Sequence, residues 1–280
     1  MKIIPIEGNT QKLDGGAMFG NAPKAMWETW VECDQDNKIN LACRALLIQD
    51  NTGKNILFET GVGAFFEPKL KERYGVIESE HILIKNLNKN NFTHEQIDAV
   101  VLSHLHFDHA GGLLSAFGDG NLRLLFPNAK YYVGKEQWLR AQNPHPRDKA
   151  SYIPELNKLL DNSGRLVLVD SDGKCDLNPL VTFRFSHGHT PGLMLAEIHL
   201  DNDLVVFASD LIPGFAWMHI PISMGYDRFP ELVINEKKIL LDDLYSKNAK
   251  LFFTHDVKHP FGTIKRDEKG KYSAEVFKFN

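Results

Sequence analysis

Ala99-Val100-Val101-Leu102-Ser103-His104-Leu105-His106-Phe107-Asp108-His109-Ala110-Gly111-Gly112 decides how this 280-residue chain is read. The four apolar residues at its start suit a strand buried on both faces. Potential metal ligands begin directly after them. At an extended strand end, side chains two residues apart point the same way, so His104 and His106 project together. Asp108 and His109 then fall in the turn that opens the next helix. Imidazole and carboxylate in this mixture favour Zn²⁺ or another borderline divalent ion. The chain holds 12 histidines. With that supply, His-x-His-x-Asp-His arises by chance in about one chain in a thousand. A surface histidine cluster or a purely structural metal is the bland alternative.

Three further segments repeat the arrangement. His189 lies in Ser186-His187-Gly188-His189-Thr190-Pro191-Gly192, after a strand pattern ending at Phe185. Asp210 follows the apolar run Leu204–Ala208, and His255 follows Leu251-Phe252-Phe253. Each candidate sits just past a strand, where a rigid scaffold presents its functional loops. Singly these are weak signals. With the histidine loop they make seven ligands, enough for two metals sharing one bridging carboxylate.

Outward from these loops, β-rich runs alternate with helical patterns along the whole chain. Strands are predicted at Lys2–Ile6, Leu41–Ile48, Asn55–Glu59, Tyr131–Val133, Arg165–Val169, Val181–Phe185, Met194–Leu200, Leu204–Ala208, Leu251–Thr254 and Ala274–Phe279. Helices are predicted at Pro68–Tyr74, Ile82–Leu87, Glu136–Gln142, Tyr152–Leu160 and Glu231–Tyr245. Asp201-Asn202-Asp203 reads as a hairpin turn. Thr10–Gln35, rich in Gly, aromatic residues and Met, has no clear period. Without repeats, linkers or charge blocks, one domain of mixed α and β structure is expected.

Composition excludes several classes. The chain is 43% hydrophobic and 24% charged, with a formal charge of −4. That is ordinary for a globular protein and supplies no field to gather nucleic acid or anionic lipid. No apolar run reaches membrane-spanning length, and Met1–Glu7 lacks the apolar core of a secretory signal. We therefore expect a cytoplasmic protein with no nucleic-acid or membrane partner. Cys33, Cys43 and Cys175 are odd in number and scattered, as reduced thiols would be.

The ordered set His104, His106, Asp108, His109, His189, Asp210 and His255, with Gly188-His189-Thr190-Pro191-Gly192, resembles the metallo-β-lactamase superfamily from about Ile39 to the end of the chain. The resemblance implies an α+β fold, a four-layer αββα sandwich, as a single domain over 39–280 with residues 1–38 forming an integral N-terminal strand and arm. It implies that His104, His106 and His189 hold a first metal, that Asp108, His109 and His255 hold a second, and that Asp210 bridges them. The cofactors expected are two divalent ions, Zn²⁺ first, with Fe, Mn or Co as alternatives. Asp210 speaks against the antibiotic-degrading lactamases, many of which have Cys there.

A narrower resemblance, to the quorum-quenching N-acyl homoserine lactonase and methyl parathion hydrolase branch, rests on Leu13–Gly20, Pro23-Lys24, Trp27, Leu211-Ile212-Pro213 and Met224–Asp227. It implies a hydrolase that opens the lactone ring by attack of a metal-bridging hydroxide, because a divalent ion lowers the pKa of water from 15.7 to about 7. Asp108 is the candidate to pass a proton to the leaving oxygen. The chain lacks a G-x-S-x-G element and needs no serine nucleophile. A small hydrophobic lactone or ester is the substrate expected. Arylesterase, phosphotriesterase or thioester hydrolase activity is the alternative, and a metal redox protein is disfavoured. Where the better-known lactonases have a substrate-facing Tyr three residues after the bridging Asp, this chain has Pro213. His219 and Tyr226 are the candidates to replace it. Met18, Phe19, Trp27 and Phe107 are further candidates for substrate contact, since large apolar side chains on loops line a pocket, cover a subunit interface of a homodimer, or pack in the core. His187 is a candidate to orient His189, and Asp256 is expected to fix its loop by accepting backbone N–H groups.

Overall fold

The strand and helix segments follow the order read from the sequence in the computed structural model, which describes residues 1–279. Strands β1 (Lys2–Ile6) and β2 (Gln11–Asp14) precede two short helices, α1 (Gly15–Phe19) and α2 (Lys24–Trp27). Strands β3 (Lys38–Leu41), β4 (Ala45–Gln49) and β5 (Asn55–Phe58) follow, then helices α3 (Pro68–Arg73) and α4 (Ile82–Lys89). Next come β6 (Ala99–Leu102), α5 (Phe107–Ala110), β7 (Lys130–Gly134), α6 (Lys135–Gln142), α7 (Pro154–Asn162) and β8 (Leu166–Val169). The remainder holds β9 (Val181–Ser186), β10 (Leu193–His199), β11 (Leu204–Phe207), the long helix α8 (Pro230–Ser246), β12 (Lys250–Phe252), β13 (Phe261–Arg266) and β14 (Tyr272–Val276). Among the described residues, no helix is long and apolar enough to cross a membrane.

The chain divides into two compact units. The first comprises Met1–Gln11 and Ala42–Leu177. Its sheet runs β1-β4-β5-β6-β7-β8. The strands from β5 to β8 pair in parallel, and helices supply the crossovers that parallel pairing requires. Strands β5 and β6 are buried along their whole length, as a parallel sheet covered on both faces demands. Because β5, β6 and β7 run the same way, the residues after Phe58, Leu102 and Gly134 leave the sheet at one edge.

The second unit comprises Lys12–Leu41 and the chain from Asn178 onward. Its sheet runs β14-β13-β12-β11-β10-β9, antiparallel except for β11 against β12. The parallel β11–β12 pair needs a crossover, and α8 provides it. Antiparallel β10 lies between β9 and β11, so β9 runs in the direction of β11 and β12. All three therefore finish at one edge, followed by His189, Asp210 and His255 respectively.

Several elements depart from expectation. The single strand predicted at Leu41–Ile48 breaks at Ala42-Cys43-Arg44, because β3 pairs with β2 while β4 pairs with β1 and β5. Arg44 is buried there and pairs with Glu7. Thr10–Gln35 resolves into β2, α1 and α2, with the Asp14 carboxylate capping α1 through the Ala17 N–H. The segment 1–38 contributes to both units, residues 1–11 to the first and 12–38 to the second. Strand β13 was not anticipated. Its Gly262, packed against Phe253 and Ala274, and its charged end hide the strand period. None of Cys33, Cys43 and Cys175 is in a disulfide.

The Ala110-Gly111-Gly112 turn closes the histidine loop against the segment after β5. A Cβ on Gly112 would sit 2.0 Å from the Thr60 carbonyl oxygen, so only glycine fits. The Gly112 N–H donates to the Gly61 carbonyl at 2.8 Å. Its carbonyl accepts from His81 Nε2 at 3.0 Å, while His81 Nδ1 accepts the Ile84 N–H and caps α4. These two bonds require the neutral Nε2–H tautomer, and burial lowers the His81 pKa to about 4.

Gly112→Ala should lower the melting temperature of metal-free protein by several degrees, since overpacking against backbone costs about 1–3 kcal/mol. An unchanged value would show that the turn relaxes. For His81 the folded pKa lies below the unfolded one, so the unfolded chain takes up the proton first as pH falls. The stability lost between pH 6.5 and pH 4 should reach about 3 kcal/mol. Urea unfolding of metal-free protein at several pH values should show that slope, and His81→Asn, which keeps a capping acceptor, should flatten it.

Candidate functional site

In the first unit, four of the expected ligands gather at the carboxyl end of β6. The parallel register sets Phe58 beside Val101, and the Glu59 N–H donates to the Val101 carbonyl at 2.8 Å. That places Glu59, the residue after β5, beside the histidine loop. His106 is in extended backbone at the start of α5, and Asp108 and His109 lie in its single turn. His104 and His109 are fully buried. His104 Nε2 stands 3.0 Å from His106 Nδ1, and ligand atoms of Glu59, His104 and His109 lie within 4.8 Å of one another. The Asp108 carboxylate is 3.6 Å from His109 Nε2 and keeps 16% of its side chain exposed.

Hydrogen bonds behind the rings settle which nitrogen faces forward. His109 Nδ1 donates to Glu59 Oε2 at 2.8 Å. Ser103 donates its hydroxyl to the other Glu59 oxygen and accepts from His104 Nδ1 at 2.9 Å. Both histidines therefore present the Nε2 lone pair, the form that binds a cation. Several imidazole lone pairs packed together out of water need a compensating positive charge.

In the second unit the three remaining candidates meet at the shared edge of β9, β11 and β12. Asp210 Oδ2 lies 3.2 Å from His189 Nε2, and Asp210 Oδ1 lies 3.1 Å from His255 Nε2. One carboxylate thus carries an imidazole on each oxygen. His189 Nδ1 donates to Asp227 Oδ1 at 2.8 Å, and Asp227 Oδ2 accepts the Met224 N–H at 2.7 Å. All four side chains are buried. His255 is held further by its own N–H, which donates to the Pro213 carbonyl at 2.9 Å. Each set has the donor chemistry of a divalent-cation site: neutral imidazole, carboxylate, and buried acceptors behind the rings.

The sequence reading missed Glu59, Ser103 and Asp227 as orienting groups. The only sequence signal for Glu59 was its place at the end of a predicted strand; the neighbouring histidine strand comes from the β5–β6 pairing. Asp227 lay at the end of the quoted Met224–Asp227 segment. The group behind the His189 ring is Asp227, not the expected His187, whose Nδ1 accepts the Gly192 N–H. Asp256 behaves as expected, accepting N–H groups of Phe215, Lys258 and His259.

Three of the expected substrate contacts pack in the core, the alternative the sequence left open for them. Met18, Phe19 and Trp27 are sealed in a cluster with Trp217 and Met224. Phe19 stacks between Trp27 and Trp217 at 5.5 and 4.7 Å, and Trp217 Nε1 donates to the Met18 carbonyl. Burying three large rings together outweighs what a loop lid would gain by keeping them exposed. His219 stacks on Trp30 at 5.1 Å, and burial, with Lys271 and Lys237 nearby, lowers its pKa. Tyr226 is exposed. Phe107 packs edge-on to Phe66 and against Tyr74, beside a cavity of about 460 Å³ that Tyr152 and Ile153 also line.

Comparison with known proteins agrees with this chemistry. The family described as the metallo-beta-lactamase superfamily matches residues 40–255, well over half of the chain. An N-acyl homoserine lactonase of Bacillus cereus is 24% identical over 243 residues, covering 81% of this chain and 86% of the relative. A crystal structure described as a probable metal-dependent hydrolase from Staphylococcus aureus is similar with a TM-score of 0.87 and 28% identity, covering 100% of this chain and 98% of the other. AidC, a dizinc quorum-quenching lactonase solved with an acyl homoserine product, has a TM-score of 0.75 at 22% identity, covering 99% of this chain and 95% of the other. These likenesses give the α+β fold expected from the sequence.

Asp227→Asn and Glu59→Gln each remove the negative charge behind a ligand ring. Each should weaken divalent-metal binding by about 10–100-fold, read by competition with a chromogenic chelator. Wild-type affinity in both variants would show that these carboxylates do not set the ring tautomers.

Proposed function

This chain belongs to the hydrolases of the metallo-beta-lactamase superfamily, and we propose that it opens the lactone ring of N-acyl homoserine lactones with two divalent ions, Zn²⁺ in the first instance. In this reading His104, His106 and His189 would hold one ion, Asp108, His109 and His255 would hold the other, and Asp210 would serve both. The observation that carries the reading is the Asp210 carboxylate with an imidazole nitrogen close to each of its oxygens. When bound, such ions polarise a carbonyl and make a water acidic enough to serve as nucleophile near neutral pH.

The chain's own residues supply the rest. Glu59, Ser103 and Asp227 fix the ring orientations beforehand, so little reorganisation accompanies reaction. Asp108, the most exposed of the four ligands in its loop, is the group a departing oxygen can reach. The oxygen of a water adds to the lactone carbonyl carbon while its proton passes to the Asp108 carboxylate; as the ring C–O bond breaks, Asp108 gives that proton to the departing oxygen, leaving the open hydroxy acid. The cavity beside Phe107, walled mainly by aromatic and aliphatic side chains with Glu67 and Glu155 among them, suits an acyl chain and disfavours an anionic substituent. The lactonase names and structures of the relatives support this substrate class. Pro213, standing where the lactonase resemblance leads one to expect Tyr, makes aryl esters and phosphotriesters the substrates to set against it.

The test is a panel of short- and long-chain homoserine lactones, an aryl ester, a phosphotriester and a thioester, assayed on metal-loaded protein. Lactones should lead by at least about tenfold in kcat/KM, a margin equal to roughly 1.4 kcal/mol. A phosphotriester or aryl ester in the lead would overturn the substrate assignment. Elemental analysis should give close to two metal equivalents per chain, and a persistent zero would remove the metal reading altogether. Asp108→Asn should lower kcat by about a hundredfold or more if the carboxylate moves the proton.

A further inference from the structure

Helix α8 does more than carry the chain from β11 to β12. Two consecutive residues in its middle, Glu236 and Lys237, reach separate backbone segments that converge on His189. The Glu236 carboxylate accepts three donors from the residues just before that histidine. They are the Ser186 hydroxyl at 2.6 Å, the His187 N–H at 2.8 Å and the Gly188 N–H at 3.0 Å. Gly188 lies so close to the helix that a Cβ there would sit 2.5 Å from the Val233 nitrogen.

Lys237 is buried, with 1% exposure. Its ammonium donates to the Ile222 carbonyl and, at 3.4 Å, to the His219 carbonyl. It thereby braces the segment that leads to Asp227. Burial lowers the Lys237 pKa to about 8, with the charge of Asp227 opposing the shift. The two braced segments are tied to each other as well. The Arg228 N–H donates to the His189 carbonyl at 3.1 Å, and the Phe229 N–H donates to the Gly188 carbonyl at 2.8 Å.

We infer that Glu236 and Lys237 are positioning residues for metal binding at His189, one fixing the loop that carries the histidine and the other fixing the loop that carries its Asp227 partner. A buried lysine paired with backbone carbonyls is costly unless it holds something in place. A carboxylate spending both oxygens on three consecutive residues defines their path more tightly than apolar packing does. Both side chains spend their polar atoms on protein backbone and the Ser186 hydroxyl. Glu236 acts on the His189 ring through the backbone that carries it, and Lys237 acts through the Asp227–His189 hydrogen bond; both set the direction of the Nε2 lone pair. The inference rests on the proposed metal-ligand role of His189.

The experiment compares wild type, Glu236→Gln, Lys237→Met and His189→Ala. Stepwise Zn²⁺ affinity is measured by chelator competition, Co²⁺ absorption spectra are recorded, and the melting temperature is taken on metal-free protein. Both positioning variants should weaken one metal equivalent by tenfold or more and alter the Co²⁺ spectrum. The second equivalent should keep its affinity, and the metal-free melting temperature should stay within a few degrees of wild type. Lys237→Arg, which keeps a charged donor, should restore most of the lost affinity. Unchanged affinities overturn the inference. So does an equal loss of both equivalents together with a large fall in melting temperature, the result expected of general destabilisation. Should Glu236→Gln fail to fold, Lys237→Met decides alone. His189→Ala separates the two levels of argument. If it binds two equivalents like wild type, the ligand assignment has failed. If it loses one while the α8 variants lose none, only the positioning role has.

Discussion

A histidine can offer Nε2 to a cation only if its Nδ1 proton is held elsewhere, and this protein holds it with buried hydrogen-bond acceptors. Glu59 takes the proton of His109, Ser103 accepts that of His104 and passes its own to Glu59, and Asp227 takes that of His189. A buried carboxylate is expensive unless it is fully bonded, so these groups need donors brought to them in fixed geometry. The sheets do this. Parallel β5 and β6 set Glu59 beside the loop after Leu102, and the common direction of β9, β11 and β12 sets three candidate ligands at one edge. The strand order is thus what makes the hydrogen-bond chemistry affordable.

The backbone bears the cost at two points. Glu59 and Ser209 are non-glycine residues with φ of 62° and 44°, in the left-handed region that disfavours side chains. Glu59 supports a candidate ligand and Ser209 directly precedes one. Strain of about 1–3 kcal/mol persists only where surrounding structure over-determines it. At Glu59 the surroundings are the Val101 carbonyl, Ser103 and His109. At Ser209 they are the end of a buried strand and the start of the 3-10 turn holding Asp210.

Much of this was legible in residue order. The apolar run at Ala99–Leu102 followed by alternating histidines gave both a buried strand and the candidate ligands clustered at its end. The strand-end positions of His189, Asp210 and His255 gave the rest of the set. Orienting groups were harder to find, because a lone Glu after Phe58 or a lone Asp after Tyr226 carries no local period. Only the pairing of distant strands and turns brings them behind a ring. The aromatic residues of Leu13–Trp27 misled for a related reason. Large rings on an irregular segment look exposed until Trp217, some two hundred positions onward in the chain, is seen to stack on Phe19. Strand β13 was hidden by Gly262 and by a charged end, which together erase alternation.

The spread of ligands along the chain also bears on how the protein folds. His104 to His109 occupy six consecutive residues, whereas His189 to His255 span 67 residues, and His255 joins the other two only through the parallel β11–β12 pairing. Closing the larger loop costs more chain entropy, and parallel pairing across a helical crossover is slow to form. The compact histidine turn can therefore assemble early around β6. The dispersed set must wait for α8 to fold and dock. A nascent chain would display one cluster of metal-seeking side chains well before the other exists.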